Sequence, residues 1–179
     1  MADVEKIDQI RAEVSRVHES AMYSQQTQFE YSKTWRRVDR LLGGAAAILA
    51  AAAGAGGLSD VMSARWAGII ALAAAGAGAV ATTLGAPTSK DRAATSATAY
   101  LALQQDARIL LNVDLDGMTA GDAREKLAEL VARQQQLNAS AEVPSNRAWK
   151  KAKANIEKHR SQAYEVDRTS EVSGSTSDG

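Results

Sequence analysis

Apolar residues follow two different rhythms along this chain. Between residues 3 and 33 they recur at alternating intervals of three and four, at Ile7, Ile10, Val14, Val17 and Ala21, with charges elsewhere. That is the stripe of a helix burying one face, close to a coiled-coil seam. From Leu41 the rhythm stops. Leu41–Leu58 and Trp66–Leu84 are runs of 18 and 19 residues without a charged side chain. As helices they measure roughly 27–28 Å each at a 1.5 Å rise, close to the hydrocarbon thickness of a bilayer. Ser59–Arg65 between them is long enough to reverse direction. The pattern predicts a transmembrane helical hairpin over 41–84. No proline interrupts residues 1–86, so the first helix is expected to continue into the first span, with Gly43-Gly44 the obvious place for a kink.

After the hairpin the helical rhythm returns. Gly85-Ala86-Pro87 ends the second run, and Thr88 or Ser89 can cap a helix over 89–111 carrying Tyr100, Leu103, Ala107 and Leu110 on one face. Leu115-Asp116-Gly117 reads as a turn. Thr119 stands three residues before Asp122, a variant of the capping pattern, and opens a helix to about Leu137. Its stripe is Ala123, Leu127, Leu130 and Leu137, with Gln134 intruding. Pro144 restarts the chain, and Trp149, Ala152, Ile156, His159 and Ala163 line a last helix over 145–164. Residues 168–179, rich in Ser, Thr and Gly, read as a disordered tail. The expected fold is all-α: an amphipathic helix over 1–40, the hairpin over 41–84, a helical region over 85–167, and the tail. Whether the stripes pack within one chain or between chains is not readable from periodicity.

Composition tempers the hairpin. The first run holds eight Ala and five Gly against four Leu and one Ile. Five bulky residues contribute only about −2 kcal/mol to insertion, so the runs are expected to insert as a pair. The competing reading is a buried Ala/Gly-rich hairpin inside a soluble helical bundle. The flanks weigh against it. Lys33, Arg36, Arg37 and Arg40 precede the first run, Lys90 and Arg92 follow the second, and the intervening loop has only Arg65. Positive charge marks the cytoplasmic side, which puts both termini there, as in a multi-pass protein of the inner (plasma) membrane. Trp35 and Trp66 sit at opposite ends of the hairpin, where indoles can lie among headgroups. Residues 1–40 lack the charged-then-apolar order of a signal peptide.

The runs also carry small-residue stripes. Stepping 100° per residue, Gly43, Ala47, Ala50, Gly54 and Gly57 fall within about 40° of one line, opposite Leu41, Leu42, Ile48 and Leu49. In the second run Ala67, Ala71, Ala75, Ala79 and Thr83 recur every four residues. Such stripes let membrane helices approach closely, either within the hairpin or between copies in a homo-oligomer. Neither run holds an ionisable residue, so no proton relay or ion-coordinating site is expected, and a pore would be wide or lined by Thr82, Thr83 and backbone carbonyls.

Candidate chemistry is sparse. Zero cysteines remove disulfides, thiolate metal sites and a Cys nucleophile together, and zero formal net charge gives no general attraction to nucleic acid. Asn112-Val113-Asp114-Leu115-Asp116-Gly117 opens like a calcium loop, but the position that needs Glu holds Ala123, so a capped turn is preferred. His18 and His159 lie on separate helices without a catalytic constellation. Arg147, Lys150, Lys151, Lys153, Lys158 and Arg160 make the last helix basic, a solvated face or a surface for anionic lipid or a phosphorylated messenger. No glycine loop precedes a Lys-Ser or Lys-Thr pair. No enzyme, cofactor or metal site is expected.

The order of elements resembles the SLATT family, two-span proteins associated with SMODS nucleotidyltransferases and SLOG sensors in bacterial conflict systems. The residues that carry the resemblance are Tyr31-Ser32-Lys33-Thr34-Trp35 with Asp39, then Tyr100-Leu101, Ala107-Arg108, Leu127, Leu130, Arg133 and Leu137, and last Pro144, Trp149, Ala152, Ile156 and Tyr164-Glu165-Val166-Asp167. It spans roughly residues 20–167 and contains no catalytic signature. The resemblance implies an oligomeric effector that forms a pore or perturbs the membrane when a partner sensor or messenger-producing nucleotidyltransferase responds to phage. Two alternatives stay open: a non-conducting membrane anchor for a soluble partner, and a holin-like pore protein.

Overall fold

The computed structural model describes residues 2–58 and 63–158. The central part of the expected loop, His159, Arg160, Ala163, Tyr164–Asp167 and the 168–179 tail lie outside them. The described chain is all-helical: α1 (Ala2–Leu58), α2 (Ala64–Thr83), α3 (Ala86–Ile109), α4 (Ala120–Ser140) and α5 (Asn146–Glu157).

α1 is one uninterrupted helix of 57 residues, roughly 85 Å long. It passes through Gly43-Gly44 without a break, since two glycines weaken a helix by only about 1 kcal/mol each and no proline stands near. Every seventh residue from Ile7 faces a neighbouring helix: Ile7, Val14, Ala21, Gln28, Trp35, Leu42 and Leu49 are all buried or half-buried. A second such line runs through Arg11, His18, Gln25, Ser32, Asp39, Ala46 and Ala53. The seam is apolar at first, polar in the middle and apolar again.

The main core lies at the N-terminal end. Val14, Val17 and Ala21 of α1 meet Tyr100, Leu103, Ala107 and Leu110, with Leu115, Ala123 and Leu130 closing the cluster. These are the residues that the periodicity selects, and each bulky one contributes roughly 1.5–3 kcal/mol. α3 and α5 differ from expectation. α3 starts at Ala86 rather than near Ser89, because Gly85 adopts a left-handed conformation (φ +60°) and Pro87 fits the first turn, where its missing N–H costs nothing. On α5 the buried residues are Ala148 and Ala152, while Trp149 is 47% exposed. Two alanines four apart let α5 approach closely, and Trp149, one position on, is rotated off the contact with the Lys153 ammonium 5.3 Å from its ring centre.

Between α3 and α4 the chain stays helical through a π turn (Leu110–Asp114) and a 3-10 turn (Leu115–Gly117). The π turn brings Leu110 and Leu115, five residues apart, into the same core. Arg11 secures this corner, donating to the Leu111 carbonyl (3.2 Å) and to Asp116 (2.6 Å). Asp116 therefore serves an ion pair in the stretch that opens like a calcium loop. Thr119 caps α4 by accepting from the Asp122 N–H (3.2 Å), and Ser145 caps α5 by accepting from that of Ala148 (3.3 Å). Gln134, the polar intruder in the α4 stripe, donates to Ser20 of α1 (2.9 Å).

Candidate membrane-spanning pair and the polar layer beside it

The C-terminal part of α1 and all of α2 pack along each other and are covered by no other described element. Leu41 and Ile48 are 72% exposed, Leu72 is 74% exposed, and Ile69, Val80 and Leu84 are exposed as well. Leu103 in the main core is fully buried. A buried hairpin in a soluble bundle would hide these side chains; here both helices are long and apolar enough to cross a membrane and keep their apolar surface outward.

The contact between the two helices uses Leu42, Ala46, Leu49 and Ala53 of α1 with Ala67, Ile70, Ala74, Ala77 and Ala81 of α2, all half-buried except the buried Ala74. Of the small residues singled out above, Ala67 alone lies on this contact. Gly43, Ala47, Ala50, Gly54, Ala71, Ala75, Ala79 and Thr83 are exposed, and the surroundings of Gly57 lie outside the described side chains. Ala50, Gly54, Ala67, Ala71 and Ala75 border an open furrow of about 700 Å³ between the helices, walled entirely by Ala and Gly. The phase explains the displacement. Because α1 is continuous, the face that meets α3 also sets the face that meets α2, and Gly43 stands one residue, or 100°, away from it. Thr82 and Thr83 donate to the carbonyls of Gly78 and Ala79 (both 2.8 Å), so their hydroxyls are satisfied within the helix.

The basic and aromatic flanks divide. Arg36, Arg37 and Arg40 are exposed on α1 and pair with no carboxylate among the described residues, whereas Lys90 binds Asp39 (3.0 Å) and Arg92 lies 3.6 Å from Glu142. Trp66 is 62% exposed. Trp35 turns inward: it is half-buried, meets Tyr31 edge-on at 6.1 Å, and its Nε1 is enclosed without a partner among the described residues.

A polar layer separates the apolar pair from the main core, and periodicity gave no sign of it. Gln25, Thr27, Gln28, Glu30 and Ser32 of α1 and Gln104 of α3 are all buried. Gln28 donates to the Glu142 carbonyl (2.9 Å), and Glu30 accepts from Lys33 (2.7 Å) and Asn155 (3.3 Å). Thr27 and Ser32 bond back to their own helix. The Oε1 atoms of Gln28 and Gln104 are enclosed without a partner among the described residues, each costing about 1–3 kcal/mol. Beside the layer a cleft of about 350 Å³ opens among Tyr23, Thr27, Gln28, Tyr100, Asn138, Glu142 and Trp149, and within it Tyr100 donates to Asn138 (2.7 Å). The only available clue in the sequence was negative: the stripe of α1 loses its apolar character after Ala21 while the helix goes on.

His18 is half-buried, and its pKa is lowered, first by burial and then by the Arg108 guanidinium, partly offset by Glu19. Among the described residues no three His, Cys, Asp or Glu side chains converge as metal ligands. No protein-family model, curated protein or solved structure matches the chain.

Proposed function

We propose that this chain is a two-span integral membrane protein with both ends cytoplasmic, in which 41–84 form a transmembrane hairpin. Copies associate through the outward Gly43–Ala47–Ala50–Gly54 face, and the assembly perturbs or perforates the membrane as the non-enzymatic effector of a bacterial defence system. The observation that carries the membrane reading is the apolar pair left uncovered by the rest of the chain. A surface of that size needs lipid or other chains against it. The effector role and its trigger by a partner sensor or nucleotidyltransferase rest on the resemblance to the SLATT family.

The association face has a clean test. A Cβ at Gly43 or Gly54 meets no atom within 4 Å inside the chain. Gly43→Leu with Gly54→Leu therefore starts each side chain in open space within a single copy and obstructs a neighbour on this face. Induced expression of the native chain in bacteria is expected to depolarise the membrane and arrest growth, and the paired variant to restore both. Depolarisation by both chains would discard this face. Silence from both, with the partner supplied, would favour a non-conducting anchor, a reading supported by the exposed Trp149 and the basic surface of α5.

A further inference from the structure

The outward face of α1 changes chemistry at Leu41 without changing direction. Phe29, Arg36, Gly43 and Ala50 are seven apart, as are Lys33, Arg40, Ala47 and Gly54, and all eight are exposed. At 100° per residue the cations of this face, Lys33, Arg36 and Arg40, span an arc of about 60°, directly in line with the small residues above them. Arg37 stands at the edge of the same surface. Arg36, Arg37 and Arg40 lie within about 8 Å of the start of the apolar run, a depth that matches the headgroup layer.

The nearby carboxylates are already engaged. Asp39 binds Lys90, and Glu30 binds Lys33 and Asn155. Copies packing on the small-residue face would therefore bring three arginines of one chain towards a neighbour with no local counter-charge, and like charges oppose that approach. The guanidinium fork suits phosphate, and a cluster of cations beside an uncovered apolar helix attracts anionic headgroups. Gly43 and Gly44, with no atom within 4 Å of a Cβ, leave open space beside the helix backbone just above the cluster.

We propose that Arg36, Arg37 and Arg40 hold the phosphate of an anionic lipid whose chain runs along Gly43 and Gly44, and that packing of copies on this face depends on that lipid. The inference rests on the membrane reading above. To test it, the full chain is reconstituted in phosphatidylcholine vesicles with and without phosphatidylglycerol and floated, and the retained lipid is measured by native mass spectrometry. The native chain floats with both and retains phosphatidylglycerol preferentially. Arg36→Gln, Arg37→Gln, Arg40→Gln floats equally and loses that preference by about tenfold or more. Lys150→Gln with Lys151→Gln, on α5, keeps it.

Energy transfer between copies labelled through Val113→Cys, an exposed position, reads assembly. It rises with phosphatidylglycerol for the native arginines and is indifferent to lipid in the triple variant. Equal retention of phosphatidylglycerol by native and triple-variant chains overturns the lipid site. Transfer independent of lipid in the native chain overturns the coupling to assembly. A chain that floats with neither vesicle overturns the membrane reading itself.

Discussion

Residues 2–33 and 41–58 of α1 share one helix and one seven-residue seam, and differ in almost everything outside it. In the first segment the seam is sealed by α3, α4 and α5, and the outward positions are mostly charged or polar. In the second the described seam positions face α2, and the described outward positions are Ala, Gly, Leu and Ile. A helix with one apolar stripe is complete once that stripe is buried, whereas one apolar all round still needs a partner or a bilayer. The polar layer at 25–32 separates the two regimes. It places buried amides and a paired carboxylate in the stretch of seam between them, where each needs a hydrogen-bond partner to offset its loss of water.

Removing the same side chain in the two regions is the strongest way to break this comparison. Leu103→Ala empties a fully buried site, and a loss of about 2–5 kcal/mol is expected in thermal or denaturant unfolding of the helical signal in detergent. Leu72→Ala removes a side chain that is 74% exposed within the chain, and a change below about 0.5 kcal/mol is expected in the same assay. Equal losses would mean that the apolar pair is buried by contacts this single chain does not show.

A smaller contrast lies in two glycines with open space around them. At Gly85 the backbone is left-handed, so Gly85→Ala is expected to cost about 1–2 kcal/mol and to loosen the junction of α2 with α3. At Gly44 the backbone is helical, so Gly44→Ala is expected to stabilise α1 by about 0.5–1 kcal/mol. Opposite signs in parallel melts would confirm that backbone conformation, rather than space, sets the outcome.

The smallest effect is expected from His18. Its folded-state pKa is lowered by burial, so the folded bundle binds this proton less readily than the unfolded chain. Its contribution is fully present above the ordinary imidazole range of about 6.5 and declines as pH falls through that range towards the lowered value. His18→Gln is expected to flatten that part of the stability profile of the main core and leave the apolar pair unaffected. An unchanged acid limb would place the sensitivity elsewhere.

The sequence by itself determined the helical class, the two apolar runs and most of the main core, because a periodic stripe and a charge-free run are local properties. Ile7 to Ala21, Tyr100 to Leu110 and Ala123 to Leu130 were legible for that reason. So was the Thr119 cap, whose hydroxyl reaches an N–H three residues away. Tertiary structure decided what depends on phase and on distant partners. A helical wheel finds the small-residue face of 43–54, but only the continuity of α1 decides that Leu42, Ala46 and Leu49 meet α2 while Gly43 and Gly54 lie off that contact. The burial of Gln28, Glu30 and Gln104 was equally invisible. A glutamine or glutamate in a helix reads as solvent-facing until another element closes over it, and the partners of Gln28 and Glu30 lie 114 and 125 residues away in the chain. Trp149 shows the converse: an aromatic at stripe spacing stays outside because two neighbouring alanines allow the closer contact.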